Sequence, residues 1–289
     1  SKEEVFSKYI TQSGGYRKYI ISVCCRRRFS MFNHSYIVEL LSPKSAADDQ
    51  LERLLDRFAE RFRRIIDAGC GISIPDNPMG QPRLGALECI KRSGLSVDPQ
   101  KVVMNLNTFH TKSELDGLLQ KAAEANLKYI LVVRGDGGPL LPKLDAKSIG
   151  GKLSVATSIE LIRYINTEYS DQFITGAAFN PYNPMPFELN RMKQKIDAGA
   201  RYAVTQPIIG KDENVDRLKE LNIAVVVEAW MSNNIDLLYK SVGKEKDEKA
   251  EKFDPLANLK ALHEYYPECC VYLSMLSFKQ DWQEILPNF

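Results

Sequence analysis

The sequence predicts a (β/α)8 barrel, and three observations support that prediction. Eight short apolar runs, many of them β-branched, recur along the chain without strict polar–apolar alternation. Such runs are typical of parallel strands that are buried on both faces. Amphipathic stretches separate them, and the 289 residues suffice for one barrel, which needs about 250. The predicted strands are Tyr36–Leu41, Cys70–Ile74, Val102–Leu106, Tyr129–Val133, Phe173–Phe179, Tyr202–Gln206, Ile223–Ala229 and Val271–Leu276.

Helices are predicted between these strands from apolar periodicity and from start and stop signals. A capping box, in which a Thr is followed three residues later by a Glu, opens two of them. Glycine marks two helix ends, and one proline is expected at the first position of a helix. The signals are, in chain order, the amphipathic stretch Asp48–Ile66, Gly69, Thr111 with Glu114, Thr157 with Glu160, Pro186, Gly199 and the stretch Asp254–Tyr266.

The same pattern predicts the domain organisation. Residues 1–35 form an N-terminal extension, a helical lid or base, and residues 36–289 form one catalytic barrel domain. A doubly wound sheet is the alternative architecture, but it usually has a glycine-rich first turn, and the first strand here leads into LLSPKS instead. Residues 137–153 read as a long loop, and residues 240–252 as a charged, solvated segment.

Composition excludes several classes of protein. The 39 Lys and Arg residues nearly balance the 37 Asp and Glu residues, which argues against a nucleic-acid or membrane-surface protein. No apolar run is long enough to span a membrane, and the first residues lack a signal-peptide core, so we expect a cytoplasmic protein. Six cysteines without a CxxC motif and three histidines without HExxH predict free thiols and no metal site.

Polar residues that end the predicted strands are candidates for the site, because active sites of such barrels lie at the carboxyl ends of the strands. They are Glu39, Asn105, Asn107, Arg134, Asp136, Asn180, Tyr182, Asn183, Thr205, Gln206 and Glu228.

Three of these candidates invite a chemical interpretation. Glu39 lies among apolar residues, where burial would raise its pKa and suit a general acid; a carboxylate paired with a barrel Arg or Lys is the equal alternative. Asp136 belongs to an Arg-Gly-Asp turn that could approach a ligand or could be an ordinary turn. Gln206 offers a donor and an acceptor for the edge of a heterocycle. Trp230 and Met231 could form an apolar wall or belong to the core.

Taken in order, several segments resemble the methylenetetrahydrofolate reductase family in its short catalytic-barrel form. They are VELLSPKS, LKYILVVRGDGG, ITGAAFNPYNP, MKQKIDAGARYAVTQPII and the final VYLSMLSFKQDWQEIL, which resembles a last strand and closing helix. The resemblance extends over residues 36–289, and DAGARYAVTQ is its most specific part.

The resemblance implies a barrel that binds FAD and interconverts 5,10-methylenetetrahydrofolate and 5-methyltetrahydrofolate with NADH or NADPH, in one-carbon metabolism and methionine biosynthesis. Hydride would pass through the flavin, and Glu39 would be the acid that assists ring opening. Asp136 would act near flavin and folate, and Gln206 would bind the folate. The positions that match flavin contacts are Asn105, Arg134, Gly135, Asp136, Ala178, Phe179, Asn183, Glu188 and Lys195.

The sequence departs from the family mainly around the flavin. The family usually has other residues near Pro75, Asn105, Val155, Phe179, Asn183 and Glu188, and its strand-seven segment differs from VVVEAWMSN. A flavin-free folate-binding methyltransferase or a subunit of a methyl-transfer complex is therefore the alternative, and an inactive folate-binding paralogue is a third. The choice of nicotinamide, the direction of reaction, the oligomeric state (homodimer or tetramer) and an electron-supplying or methyl-transfer partner protein stay open.

Overall fold

The computed structural model describes Phe32, residues 34–45, residues 50–279 and Leu286, without the side chain of Lys249. Within this part of the chain, eight parallel strands close into a barrel in sequence order. The first strand pairs with the second and with the eighth, which completes the ring. The strands are β1 Tyr36–Glu39, β2 Gly71–Ile74, β3 Val102–Leu106, β4 Tyr129–Val132, β5 Ile174–Phe179, β6 Tyr202–Pro207, β7 Ala224–Trp230 and β8 Cys270–Ser274.

Helices surround the barrel and follow the strands. The α-helices are α1 Leu51–Asp67, α2 Ala86–Arg92, α3 Lys112–Glu124, α4 Ser158–Glu168, α5 Phe187–Asp197, α6 Glu213–Lys219, α7 Ile235–Val242, α8 Glu248–Glu251 and α9 Pro255–Tyr265. Two 3₁₀ helices, Pro78–Gly80 and Ala146–Ile149, lie in the loops after β2 and β4. This arrangement confirms the predicted (β/α)8 barrel.

The apolar core has two layers, as closure of a sheet into a barrel requires. The larger layer lies between strands and helices and includes Val38, Leu40 and Phe58. A second cluster fills the barrel interior. At its amino-terminal end the ring of Phe32 lies 4.7 Å from that of Tyr129, centroid to centroid. The interior is therefore a packed core below the site.

The ends of the predicted strands differ from the observed ones by two residues at most, and both capping boxes are present. The prediction for Pro186 was wrong by one residue, because helix α5 begins at Phe187 and Pro186 is its cap. Gly69 and Gly199 have φ angles of +75° and +117°, the left-handed region in which glycine ends a helix. Asp48, the closing helix and most of the extension lie outside the described residues.

Two further predictions concern exposed and reactive groups. Four cysteines are free within the described chain, namely Cys70, Cys89, Cys269 and Cys270. Burial raises the pKa of the Cys89 and Cys269 thiols to about 12, which makes them poor nucleophiles near neutral pH. The charged segment between residues 243 and 248 is exposed, in agreement with the prediction of a solvated segment.

Candidate active site

The carboxyl ends of the strands form the mouth of the barrel, where such folds place their sites. Along each strand, side chains alternate between the interior and the helix layer. Ile37 and Val226 belong to the interior cluster. Glu39 and Glu228 stand two residues further along the same strands and therefore face the interior as well. The mouth receives one carboxyl group from β1 and another from β7.

Glu39 lies beside an aromatic hydroxyl. Tyr272 Oη donates a hydrogen bond of 3.2 Å to Glu39 Oε2. Burial raises the pKa of Glu39, while the hydrogen bond from Tyr272 and the nearby Arg83 oppose that rise. The net direction is upward, so Glu39 keeps its proton to a higher pH than an exposed glutamate does. Both expectations for Glu39 are thus met in part: it is half-buried, its pKa is raised, and the cation Arg83 from the loop after β2 lies near it.

Asn105 continues the polar layer on the neighbouring side of the mouth. Its side-chain oxygen accepts a 2.8 Å hydrogen bond from Ser73 Oγ, and Ser73 stands opposite Glu39 in the β1–β2 register. Asn105 is buried. Because its oxygen is already engaged, the side-chain amide nitrogen is the group with which it could contact a ligand.

The Arg-Gly-Asp turn after β4 requires glycine at its centre and has exposed charged residues on both sides of it. Gly135 has φ of +82°, and a Cβ there would meet Asn107 Cβ at 2.8 Å, so only glycine fits. The Asp136 side chain is exposed, and its Oδ2 accepts a 2.7 Å hydrogen bond from the Met79 backbone N–H. Arg134 is also exposed. This turn therefore presents both of its charged side chains to solvent at the mouth.

A largely buried contact between His110 and Asp76 supports that turn. His110 Nε2 lies 2.6 Å from Asp76 Oδ2, and the same oxygen accepts the Asn107 N–H at 2.9 Å. Burial lowers the pKa of His110, but the hydrogen bond and charge of Asp76 raise it more. Thr108 Oγ1 donates to the Arg134 carbonyl at 2.9 Å. Sequence reasoning missed this pair, because neither residue belongs to a recognisable motif.

The pairing of strand β6 with β7 is irregular around Gln206. The β6–β7 register shifts between Val204 and Pro207, as in a β-bulge, which re-aims side chains next to active sites. Tyr182 Oη donates a 2.6 Å hydrogen bond to the Pro207 carbonyl and fixes the strand end. Gln206 is half-buried there, at a depth that lets its amide reach a ligand.

The predicted flavin contacts on β5 and α5 already have hydrogen-bond partners within the protein. Glu188 is buried, and its two oxygens accept from the Asn180 N–H at 3.1 Å and from Asn183 Nδ2 at 2.9 Å. Lys195 is buried as well, and its Nζ donates to the Ala178 carbonyl at 2.6 Å. Burial lowers the pKa of Lys195, and the charge of Glu188 opposes this.

The remaining predicted contacts face in different directions. Phe179 is fully buried and belongs to the layer between strands and helices, so only its backbone is near the mouth. Val155 is exposed in the loop before α4. Trp230 packs against Leu238, and its Nε1–H donates to the Asn234 carbonyl at 3.2 Å. The core interpretation of Trp230 is therefore correct.

Glu228 also lies at the mouth, and its surroundings shift its pKa strongly. From the sequence it was recognisable only as a polar residue at a strand end. Burial raises its pKa to about 8, a hydrogen bond with Ser274 opposes that rise, and the charge of Glu39 adds to it. Its backbone N–H donates to Thr205 Oγ1 at 3.0 Å. Two carboxyl groups with raised pKa values thus share one face of the mouth.

The side chains at the mouth fit a flavin only in part. The exposed turn Arg134–Asp136 fits a flavin contact, whereas Glu188, Asn183 and Lys195 would have to exchange their present partners to reach one. Within the described chain, no group of three or more His, Cys, Asp or Glu residues could hold a metal ion. None of the described helices is long and apolar enough to cross a membrane.

Fold and site together define a (β/α)8 barrel whose polar mouth holds two carboxyl groups with raised pKa values, an arrangement typical of acid–base sites. Comparison with known families agrees with the resemblance found in the motifs. The family profile described as methylenetetrahydrofolate reductase matches residues 28–228, which is more than half of the chain. The chain belongs to the methylenetetrahydrofolate reductase family.

Two fungal relatives match over part of their length. Methylenetetrahydrofolate reductase 1 of Schizosaccharomyces pombe is 29% identical over 145 residues, which cover 45% of this chain and 23% of the relative. Methylenetetrahydrofolate reductase 2 of Saccharomyces cerevisiae is 30% identical over 122 residues, covering 39% and 19%. The matched part of this chain spans less than a quarter of either relative.

Two solved structures are similar to this chain only at low sequence identity and low TM-score. A 7,8-dihydropteroate synthase from Vibrio fischeri is 11% identical with a TM-score of 0.44, over 84% of this chain and 88% of that one. A 2,3-dimethylmalate lyase is 10% identical with a TM-score of 0.47, over 87% and 78%. At these values, no function follows from either structure.

Proposed function

We propose that this barrel interconverts 5,10-methylenetetrahydrofolate and 5-methyltetrahydrofolate by hydride transfer through FAD, with Glu39 as the general acid. Membership of the family supports the reaction. The single observation that carries the role of Glu39 is its place at the mouth, half-buried and hydrogen-bonded by Tyr272, with a raised pKa. An upward shift of the pKa by burial suits a carboxyl group to general acid catalysis.

In the proposed reaction, the proton is needed to open the five-membered ring of the folate. In 5,10-methylenetetrahydrofolate one carbon bridges two nitrogens in a five-membered ring. Protonation of one nitrogen by Glu39 lets that ring open, and the bridging carbon becomes an iminium carbon that accepts hydride. Glu39 then carries the negative charge, which the Tyr272 hydroxyl and the nearby Arg83 stabilise.

Asp136 and Gln206, the other two residues expected to act on the folate, lie across the mouth from Glu39. In the closed strand order, β5 is diametrically opposite β1, and β4 and β6 flank β5. Asp136 follows β4 and Gln206 belongs to β6. A flat heterocycle that spans the mouth could therefore contact Glu39 at one edge and these two side chains at the other. The Gln206 amide would pair with a donor and an acceptor of that edge.

FAD, when bound, would supply the hydride relay between NADH or NADPH and the folate carbon. Arg134, Gly135 and Asp136 are the residues best placed to hold it, because their turn is open at the mouth. Asn105 could contribute its amide nitrogen. Binding through Lys195 would require its ammonium group to leave the Ala178 carbonyl.

That last requirement favours a second candidate. Without a ligand, Glu188 already accepts a hydrogen bond from Asn183, and Lys195 already donates one to the Ala178 carbonyl. A barrel that binds tetrahydrofolate without flavin and serves in methyl transfer would need no change there. The two candidates share the folate site and differ in flavin.

The test is product formation with purified protein under anaerobic conditions. Protein with added FAD, 5,10-methylenetetrahydrofolate and either NADH or NADPH should yield 5-methyltetrahydrofolate, detected by mass spectrometry. The visible spectrum after desalting should retain flavin absorbance. A colourless protein that binds tetrahydrofolate but forms no product with either nicotinamide would exclude the reductase and leave methyl transfer.

A further inference from the structure

Glu228 and Glu39 are placed on either side of one tyrosine. Strand β8 lies between β1 and β7 in the closed barrel. In its registers Tyr272 stands opposite Glu228 on β7 and opposite Ile37 on β1. Glu39 reaches Tyr272 from β1 through the hydrogen bond to Oη. The two carboxyl groups therefore approach the same aromatic side chain from neighbouring strands.

The groups that face this pair come from every surrounding element. Tyr272 lies between the carboxyl groups. Burial is the main cause that raises its pKa, and the charges of Glu39 and Glu228 raise it further. Arg83, from the loop after β2, acts on Glu39. Tyr182, from the loop after β5, interacts with the charge of Glu228. Among the described groups, the cation Arg83 thus acts on Glu39, whereas Glu228 interacts with the hydroxyl-bearing residues Ser274, Tyr272 and Tyr182.

This asymmetry decides which carboxyl keeps its proton. We propose that Glu39 and Glu228 act as one coupled pair across Tyr272 that carries no more than one negative charge at neutral pH, with Glu228 as the protonated member. The catalytic meaning of the pair rests on the proposed role of Glu39; its coupling does not. Glu228 is a positioning residue, because its charge state changes how easily Glu39 ionises.

Electrostatics explains why two anions are disfavoured here. Like charges that share a poorly solvated site cannot both ionise easily, so the second ionisation moves to higher pH. Ionisation of Glu39 is helped by Arg83 and Tyr272. No cation of the described residues contributes to the pKa of Glu228, which is about 8 and includes a contribution from Glu39. While Glu228 stays neutral, Glu39 can release its proton without meeting a second anion.

The coupling can be measured without any catalysis. Protein labelled with ¹³C at the glutamate side-chain carboxyl carbon is titrated by NMR, and Glu39→Gln and Glu228→Gln assign the two signals. We expect the Glu228 signal to titrate near pH 8 in the unaltered protein. In Glu39→Gln it should move down by about one pH unit or more. The exposed Glu248→Gln serves as the matched control and should leave it in place.

A second variant covers the case in which Glu39→Gln does not fold. In the unaltered protein, the Glu39 signal should show a further inflection near pH 8, when Glu228 ionises; in Glu228→Gln that inflection should vanish. A Glu228 signal that titrates below pH 6, or a Glu39 signal that is the same with and without Glu228, would overturn the inference.

Kinetics separates this inference from the proposed function. If the protein is a reductase, turnover should fall above about pH 8 because a second anion then opposes proton release by Glu39, and Glu228→Gln should abolish this decline. An unchanged alkaline decline would refute the catalytic part. If no reductase activity exists, the NMR coupling still stands or falls by itself.

Discussion

Replacing Glu228 by glutamine should remove a pH dependence from the stability of the barrel. The folded protein holds the Glu228 proton with a pKa of about 8, against an ordinary value of 4.5. Because the folded pKa is the higher one, this contribution to stability is fully present below about pH 4.5. It is lost as the pH rises through 8. Glutamine cannot ionise, so its contribution is the same at every pH.

The magnitude follows from linkage. One pKa unit corresponds to about 1.4 kcal/mol, so the full shift would remove about 4 kcal/mol between pH 5 and pH 9. Water near the half-buried side chain reduces this, and we expect about 2 to 4 kcal/mol. The free energy of unfolding of the wild type should therefore fall by this amount relative to Glu228→Gln.

Urea denaturation at several pH values between 5 and 9 measures the difference directly. Glu248→Gln, on an exposed helix, removes a carboxyl group without burial and should show no comparable trend. The reasoning would be refuted if the wild type and Glu228→Gln differed by a constant amount across this range. The comparison between variants cancels the titration of groups that are not coupled to Glu228, including His110, whose pKa is also raised.

Two further perturbations test the support of the site and the interior. Asp76→Ala should destabilise the fold by about 2 to 4 kcal/mol, because it leaves His110 without its buried partner; a loss below about 0.5 kcal/mol in denaturant titration would contradict this. Gly176→Ala should cost about 1 to 3 kcal/mol, since its Cβ would lie 2.2 Å from the Tyr202 ring. Gly117→Ala, on a helix with open space, is the control and should stabilise by about 1 kcal/mol. Equal melting temperatures for the two glycine variants would show that the interior is less tightly packed than described.

The strands were predictable because their signal is local. Short β-branched runs and capping boxes need only neighbouring residues, and each predicted strand is present in the structure. The apolar neighbours of Glu39 in sequence predicted that burial would raise its pKa, and the structure gives the same direction. The place of Pro186 was missed by one residue, because sequence patterns locate helix starts less well than they identify helices.

The partners within the site could not be predicted in the same way. Tyr272 is 233 residues from Glu39 in sequence, and only closure of the barrel brings the two together. Glu228 was recognisable as a polar residue at a strand end, but its coupling to Glu39 depends on β8 lying between their strands. The Asp76–His110 pair joins two loops across 34 residues. None of these contacts leaves a periodic pattern in the sequence.

The role of Glu39 is tested most directly by one substitution and one product. The rate at which 5-methyltetrahydrofolate forms would be compared for the wild type, Glu39→Gln and the control Glu248→Gln. Loss of a general acid should slow Glu39→Gln by about 10² to 10⁴-fold, while tetrahydrofolate still binds and Glu248→Gln keeps the wild-type rate. A folded Glu39→Gln protein that forms product at the wild-type rate would contradict the account.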